Sequence, residues 1–255
     1  MINKQTAKQL TRRIFGEPYV GKRLKQRSLS RVLADLALAP HMILDAGCED
    51  ATFTYWLADR YPRAVVTGID VDAAALAACM AARPSKYAER VRFETSLFAD
   101  LTPQSFDLVA AFDVLEHIED DRAAVAQLFA ATRPGGRLLV HVPRDRWRHA
   151  DGRIEIVPDN EAWRINEGHV RMGYSPESLC QILTNAGFEI ESVDCWLRRW
   201  GVAAFSFYER VERVVPARLL SLPVTDLAEA VDQRRPVDEG NTVFVVARRP
   251  SAPAT

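Results

Sequence analysis

Met42-Ile43-Leu44-Asp45-Ala46-Gly47-Cys48-Glu49-Asp50-Ala51-Thr52-Phe53 is the stretch whose reading decides the fold of this 255-residue chain. It begins as a short apolar run, breaks at a glycine and continues as a helical pattern carrying Tyr55, Trp56 and Leu57. A buried strand that feeds a tight turn and a helix start makes a ligand platform, because the first N–H groups of a helix lack intrahelical partners. Gly47 has no Cβ, so a ligand can approach the backbone closely there. A second strand-like run, Ala64-Val65-Val66-Thr67-Gly68-Ile69, ends in Asp70. A glycine turn followed about 20 residues later by a carboxylate is the arrangement that binds a nucleoside, the carboxylate accepting from ribose hydroxyls. The plainer reading is an ordinary strand-to-helix turn with an unrelated aspartate.

Working outward, hydrophobic residues make up 48% of the chain and charged residues 26%, values of a globular protein with ample core. The net charge of −1 gives no global electrostatic case for nucleic acid, and none is expected as a partner. No apolar run approaches the ~18 residues that a membrane span needs. Met1 to Phe15 carries basic residues without an apolar segment behind them, so it does not read as a secretory signal. Cys48, Cys79, Cys180 and Cys195 are scattered and lack metal-ligand spacing. They read as reduced thiols, and the expected location is cytoplasmic.

Upstream, residues 3 to 38 alternate apolar and basic positions at helical spacing around a break at Gly16-Glu17-Pro18, which predicts two helices. The second, Lys22 to Leu38, places Leu24, Leu29, Val32, Leu33 and Leu36 on one face. Its Lys22, Arg23, Lys25, Arg27 and Arg31 form either a solvated face or a contact for an anionic substrate. Downstream, helices are expected over Ala51–Arg60, Asp72–Arg83 with Asp72 as N-cap, and from Asp120 or Asp121 to Thr132. Strands are expected over Val91–Thr95, Ser105–Phe112 and Arg137–Val142, with a turn at Pro134-Gly135-Gly136. Ser175-Pro176 opens a helix that Gly187 ends, Phe188–Val193 is a strand, and Asn241–Ala247 closes the sheet. Strands alternating with helices imply a parallel sheet. Arg144 to Met172 breaks the rhythm with Trp147, His149, Trp163 and His169. Leu197 to Asp238 breaks it again, with apolar residues such as Phe205, Tyr208, Val211 and Leu219 at helical spacing. Insertions of this length usually carry function.

Six motifs then fall in order: Leu44-Asp45-Ala46-Gly47-Cys48, Gly68-Ile69-Asp70, Ser105-Phe106-Asp107-Leu108-Val109, Asp113-Val114-Leu115-Glu116-His117-Ile118, Arg133-Pro134-Gly135-Gly136 and Ala186-Gly187-Phe188. Together they resemble the class I S-adenosylmethionine-dependent methyltransferases, over about Met42 to Val193 and the last strand. The resemblance implies an α/β fold, a doubly wound Rossmann-like sheet of seven strands, six parallel and the last antiparallel. N-terminal helices (1–40) would precede one methyltransferase domain (41–255) with insertions at about 144–172 and 197–238. It implies S-adenosyl-L-methionine as cofactor, with Asp45, Gly47 and Glu49 at the methionine end, Asp70 on the ribose and Val71 on adenine. Ser96 and Leu97 would meet the adenine amine, and Asp113 the sulfonium end. Glu49 and Ala51 stand where the family's loop usually has glycine, and Ser96 where it usually has aspartate.

Methyl transfer to oxygen or nitrogen often needs a base with a pKa near the working pH, which histidine supplies. His141, His117 and His169 are the candidates, and Arg171 could hold an anionic acceptor. Asp113, Glu116 and His117 are of ligand type, but no second cluster accompanies them in sequence, so no metal is expected. The leading function is methyl transfer to a small-molecule acceptor of glycan, quinone or natural-product type, with oxygen the acceptor atom. The alternative is a non-catalytic cofactor-binding or interaction protein, which the departures at Glu49, Ala51 and Ser96 encourage. A nicotinamide oxidoreductase is disfavoured because Gly-x-Gly-x-x-Gly is absent. The apolar face of 197–238 is open to three uses: extra core, a homodimer contact, or a cover over the acceptor pocket, which is the favoured one.

Overall fold

In the computed structural model of the chain, residues 19–36, 38–149, 151–156, 168–211, 224, 226–228, 230–232 and 240–251 are described. The first expected helix, Trp163, and the apolar positions between 212 and 223 lie outside them. The strands are β1 (Met42–Ala46), β2 (Val65–Asp70), β3 (Val91–Thr95), β4 (Phe106–Phe112), β5 (Thr132–Pro143), β6 (Arg146–Arg148), β7 (Ile154–Ile156), β8 (Glu189–Trp196) and β9 (Thr242–Arg248). The helices are α1 (Val20–Asp35), α2 (Thr52–Arg60), α3 (Ala73–Ala81), α4 (Asp121–Ala131), α5 (Pro176–Asn185) and α6 (Arg199–Val211).

Seven strands form one sheet in the order β3-β2-β1-β4-β5-β9-β8, and β6 pairs with β7 apart from it. β1 runs parallel to both β2 and β4, β2 to β3 and β4 to β5, whereas β9 runs antiparallel to β5. The expected doubly wound sheet with its reversed last strand is therefore present. Its middle strands are apolar on both faces, as a sheet covered by helices on each side requires. Ile43, Leu44, Leu108, Val109, Leu138, Leu139 and Val140 are all fully buried. After β3 the chain crosses to the other side of β1, so the carboxyl ends of β1 and β4 flank the switch point where such sheets bind ligands.

Helix starts follow the expected chemistry. Asp72 Oδ1 accepts from the N–H groups of Ala74 and Ala75, Asp120 from Ala123, and Ser175 from Ser178, with Pro176 in the first turn. The glycine turn before β5 differs from expectation. Arg133 to Gly136 is an irregularity inside a longer strand, pairing resuming at Leu108 with Arg137 after Phe106 with Thr132. A Cβ on Gly136 would come within 2.9 Å of the Arg133 carbonyl and 3.0 Å of that of Asp107, so the strand closes only around a glycine.

The chain divides into two compact units, one of Met1–Leu38, Arg146–Glu155 and Cys195–Asn241, the other of Ala39–Asp145, Ile156–Asp194 and Thr242–Thr255. In the first, Val20, Leu24 and Tyr208 make a small core with Leu197 and Phe205 against it. Arg23 and Arg27 of α1 both reach Asp226, at 3.0 and 2.7 Å, so two of the five basic residues pair within the unit, Arg27 while remaining exposed. Buried Asp232 accepts from the N–H groups of Trp200 (3.0 Å) and Gly201 (2.5 Å) and so closes the start of α6. Part of the expected irregular insertion is instead the β6–β7 pair, where Asn241 exchanges two bonds with the backbone of Arg148.

In the second unit Asp107 does structural work that its motif did not announce. One oxygen accepts from the N–H groups of His41 and Met42, both at 2.8 Å, and the other from Arg133 at 2.8 Å. Burial opposes its ionisation, but the Met42 bond, the Arg133 bond and charge, and the His41 bond together hold the carboxyl below its ordinary value. Its stabilisation is thus complete above the usual carboxylate range near ~4 and is lost as pH falls through the lower native pKa. Asp107→Ala is expected to cost roughly 1–3 kcal/mol near neutrality, with the gap to the parent closing in acid. Urea denaturation at a series of pH values checks this.

Candidate active site

Gly47 sits at φ 78, and Glu49 and Ala51 follow at φ 45 and 61, so alternate residues of the turn use left-handed backbone. Each side chain there costs about 1–2 kcal/mol relative to glycine, yet the turn forms, because β2 holds it. The Ile69 carbonyl accepts from Gly47 N–H at 2.8 Å and from Cys48 N–H at 2.9 Å. The N–H of Glu49 donates to Asp70 Oδ2 at 2.9 Å, that of Ala51 to the Cys48 carbonyl at 2.8 Å and that of Thr52 to Asp50 at 3.0 Å. This corrects the expectation drawn from the sequence. The N–H groups of Gly47, Cys48, Glu49, Ala51 and Thr52 are spent on β2 and on the turn itself, so side chains rather than these amides are left to face a ligand.

Close packing explains the second motif. A Cβ on Gly68 would lie 2.9 Å from Cys48 Sγ and 3.0 Å from the Phe93 ring, so only glycine lets the turn settle on β2. Burial, reinforced by the charges of Asp45 and Asp70, pushes the Cys48 thiol well above its ordinary pKa, which keeps it neutral and unreactive. Asp45, 2% exposed, accepts from Thr54 Oγ1 at 2.6 Å and braces α2 from beneath the turn.

Asp70 is the centre of the site. Its second oxygen accepts from Asp72 N–H at 3.0 Å, so two backbone donors fix the carboxylate while further lone pairs remain for hydroxyl groups. Beside it, Val71 is 69% exposed and Leu97 58%, large apolar side chains left at the carboxyl ends of β2 and β3. Ser96 N–H donates to the Asp70 carbonyl at 3.3 Å and its hydroxyl turns to the Leu97 carbonyl. Asp70, Val71, Ser96 and Leu97 are therefore brought together as the sequence implied.

Asp113 ends β4 at φ 55 and exposes its carboxylate toward the same sheet edge. Its Oδ1 lies 2.6 Å from Nδ1 of His141, whose side chain is 4% exposed. A carboxylate only accepts, so Nδ1 carries the hydrogen, and His141 orients Asp113. His117 and His169 lie elsewhere on this unit, edge to face with centroids 4.6 Å apart. Arg171 is engaged by carbonyls: it donates to those of Leu115, Ile118 and Glu119 at 2.5, 2.7 and 2.8 Å. That makes it a clamp between two segments, a role that its sequence position gave no means of seeing.

The methyltransferase-domain family profile matches residues 19–193, well over half of the chain. The chain belongs to the class I S-adenosylmethionine-dependent methyltransferases. A protein of Delftia acidovorans named trans-aconitate 2-methyltransferase is 31% identical over 186 residues, 68% of this chain and 67% of that one. One of Paracidovorax citrulli with the same name is 33% identical over 129 residues, 51% and 48% of the two chains. The chain spans about half the length of most curated relatives it matches, as in the latter case. Among solved structures, a phosphoethanolamine N-methyltransferase of Haemonchus contortus with S-adenosyl-L-methionine superposes with a TM-score of 0.65 at 17% identity. It covers 96% of this chain and 60% of its own. The N-methyltransferase NodS of Bradyrhizobium japonicum gives 0.54 at 22%, covering 90% and 87%. At those identities the structures show the methyltransferase fold alone.

Within this methyltransferase the turn is the most constrained element. A Cβ on Gly47 would collide with the side chain of Val114, in addition to the cost of its positive φ. Gly47→Ala is expected to lower stability by about 2–4 kcal/mol, the sum of left-handed strain and overpacking. Denaturant unfolding of the variant checks it, and a change below about 0.5 kcal/mol, the ordinary surface value, would contradict the account of the turn.

Proposed function

We propose that this chain transfers a methyl group from S-adenosyl-L-methionine to an oxygen of a small-molecule acceptor, Asp70 being the residue that carries the reading. Its carboxylate, held by two backbone donors between exposed Val71 and Leu97, suits a ribose and an adenine ring. Val71 and Leu97 would clasp the base and Ser96 would stand at its edge. The Gly47 turn, with Glu49 and buried Asp45, would serve the methionine end. The positive backbone angles of Glu49 and Ala51 support cofactor binding, because both residues reproduce the turn that glycines would make.

When bound, the cofactor supplies an electrophilic methyl group on a sulfonium. Asp113 would offer that cation a carboxylate, with His141 fixing its orientation from the buried side. The imidazole of His117 is exposed and its Nδ1 donates to the Gly168 carbonyl at 3.0 Å, which leaves Nε2 as its lone-pair nitrogen. Arg171, committed to carbonyls, is not available to hold an anionic acceptor. The acceptor class of glycan, quinone or natural-product type is widened to small organic acids by the names of the relatives.

Titration calorimetry tests the cofactor half. Asp70→Ala is expected to weaken S-adenosyl-L-methionine binding by about 10–100-fold, the value of a hydrogen bond to a charged group, while Asp70→Asn, which keeps one acceptor for the turn, loses less. Methyl transfer from labelled cofactor to a panel of carboxylic acids, phenols and sugars tests the other half. A product on any oxygen supports the reading, and tight binding without turnover across the panel favours the non-catalytic one.

A further inference from the structure

Glu116, His117 and His169 each place one ligand atom so that all three lie within 4.8 Å of one another. Glu116 and His117 come from the short 3-10 turn Leu115–His117 after β4, and His169 from a segment about fifty residues later. Nothing in the cofactor site uses them as a group. We propose that these three side chains form a binding site for a divalent transition-metal ion of the zinc type.

The argument begins with the hydrogen bond at His117. A carbonyl oxygen can only accept, so the 3.0 Å contact with Gly168 places the hydrogen on Nδ1 and leaves Nε2 with a lone pair. Metal-ligating histidines almost always have their other nitrogen fixed in this way, by a carbonyl or a carboxylate. The His169 ring stands edge to face against it, 86° from its plane with centroids 4.6 Å apart, so two imidazoles converge without stacking. Glu116 is 1% exposed, so the third donor is a carboxyl group held in the interior.

The two segments that supply the ligands are tied together before any ion arrives. Val170 N–H donates to the Glu116 carbonyl at 2.9 Å, and Arg171 bridges the carbonyls of Leu115, Ile118 and Glu119. Tyr174 adds bonds to the Leu115 carbonyl at 3.1 Å and to Asp121 at 2.9 Å. His169 is thus anchored from its C-terminal side, and His117 holds Gly168 on the other. Donors of a tetrahedral zinc set stand about 3.4 Å apart given zinc–nitrogen bonds of 2.0–2.1 Å. The three ligand atoms, within 4.8 Å of one another, already approach that spacing.

Donor chemistry selects the ion. Two imidazoles with one carboxylate suit zinc, iron, cobalt or nickel, whereas magnesium and calcium prefer all-oxygen sets. Three protein ligands also leave a coordination position open. The sequence reading set metal aside because Glu116-His117 had no second cluster, and His169 is the member that only the fold brings in.

The test uses the whole protein freed of metal with a chelator and then dialysed. Calorimetric titration with Zn2+, and the visible spectrum after adding Co2+, are expected to show one equivalent bound with nitrogen in the coordination sphere. His117→Ala and His169→Ala should each weaken binding by more than the roughly 10–100-fold that loss of an outer-shell partner costs. Both are partly exposed side chains, and circular dichroism verifies that the variants fold. Zn2+ binding that is absent in the parent, or unchanged when both histidines are replaced, would overturn the site. A response to Mg2+ without one to Zn2+ or Co2+ would overturn the choice of ion. No outcome depends on methyl transfer.

Discussion

The Ile69 carbonyl accepts two N–H groups, those of Gly47 and Cys48, and the rest of the site depends on that double bond. It fastens the turn after β1 to the end of β2 and imposes the left-handed backbone at Gly47, Glu49 and Ala51. Strain of about 1–2 kcal/mol at each of the two non-glycine residues is offset by hydrogen bonds and by close packing of Cys48 on Gly68. Asp70 then closes the arrangement from the side, one oxygen on the Glu49 amide and one on that of Asp72. A single carboxylate therefore shapes the turn, starts the approach to α3 and faces the space where a ribose would lie.

The same economy recurs at the next strand. Asp113 ends β4 in a left-handed conformation, and buried His141 on neighbouring β5 pins its carboxylate. Because β4 and β5 pair in register from Phe112 to His141, the histidine reaches the aspartate without any loop having to move. Asp107 anchors the opposite, amino-terminal side of the sheet through His41, Met42 and Arg133. Asp70 and Asp107, at opposite ends of the central strands, thus fix the backbone.

Much of this was legible in the sequence, for reasons that are physical. Buried parallel strands read as apolar runs, and Asp72, Ser175 and Pro176 announce helix starts by the bonds they make or cannot make. The pairing of a glycine turn with Asp70 is what suggested a nucleoside site. What escaped depended on contacts distant in the chain. Arg171 has no local pattern that distinguishes a carbonyl clamp from a substrate grip, and His169 approaches His117 only through a segment that shows no period. Arg133 to Gly136 looked like a turn because glycines and proline mark turns, but here they shape an irregularity within β5. The N–H groups after β1 looked available because helix starts usually leave them so, and only the tertiary contact with Ile69 shows them spent.

The account rests on Asp70 holding the turn and the cofactor at the same time. A crystal structure with S-adenosylhomocysteine measures this directly. Ribose hydroxyls within hydrogen-bond distance of the Asp70 carboxylate, with the Glu49 and Asp72 amides still donating to it and the base between Val71 and Leu97, is the result expected. A nucleoside bound elsewhere, or an Asp70 that must release the Glu49 amide to reach the ribose, would contradict it.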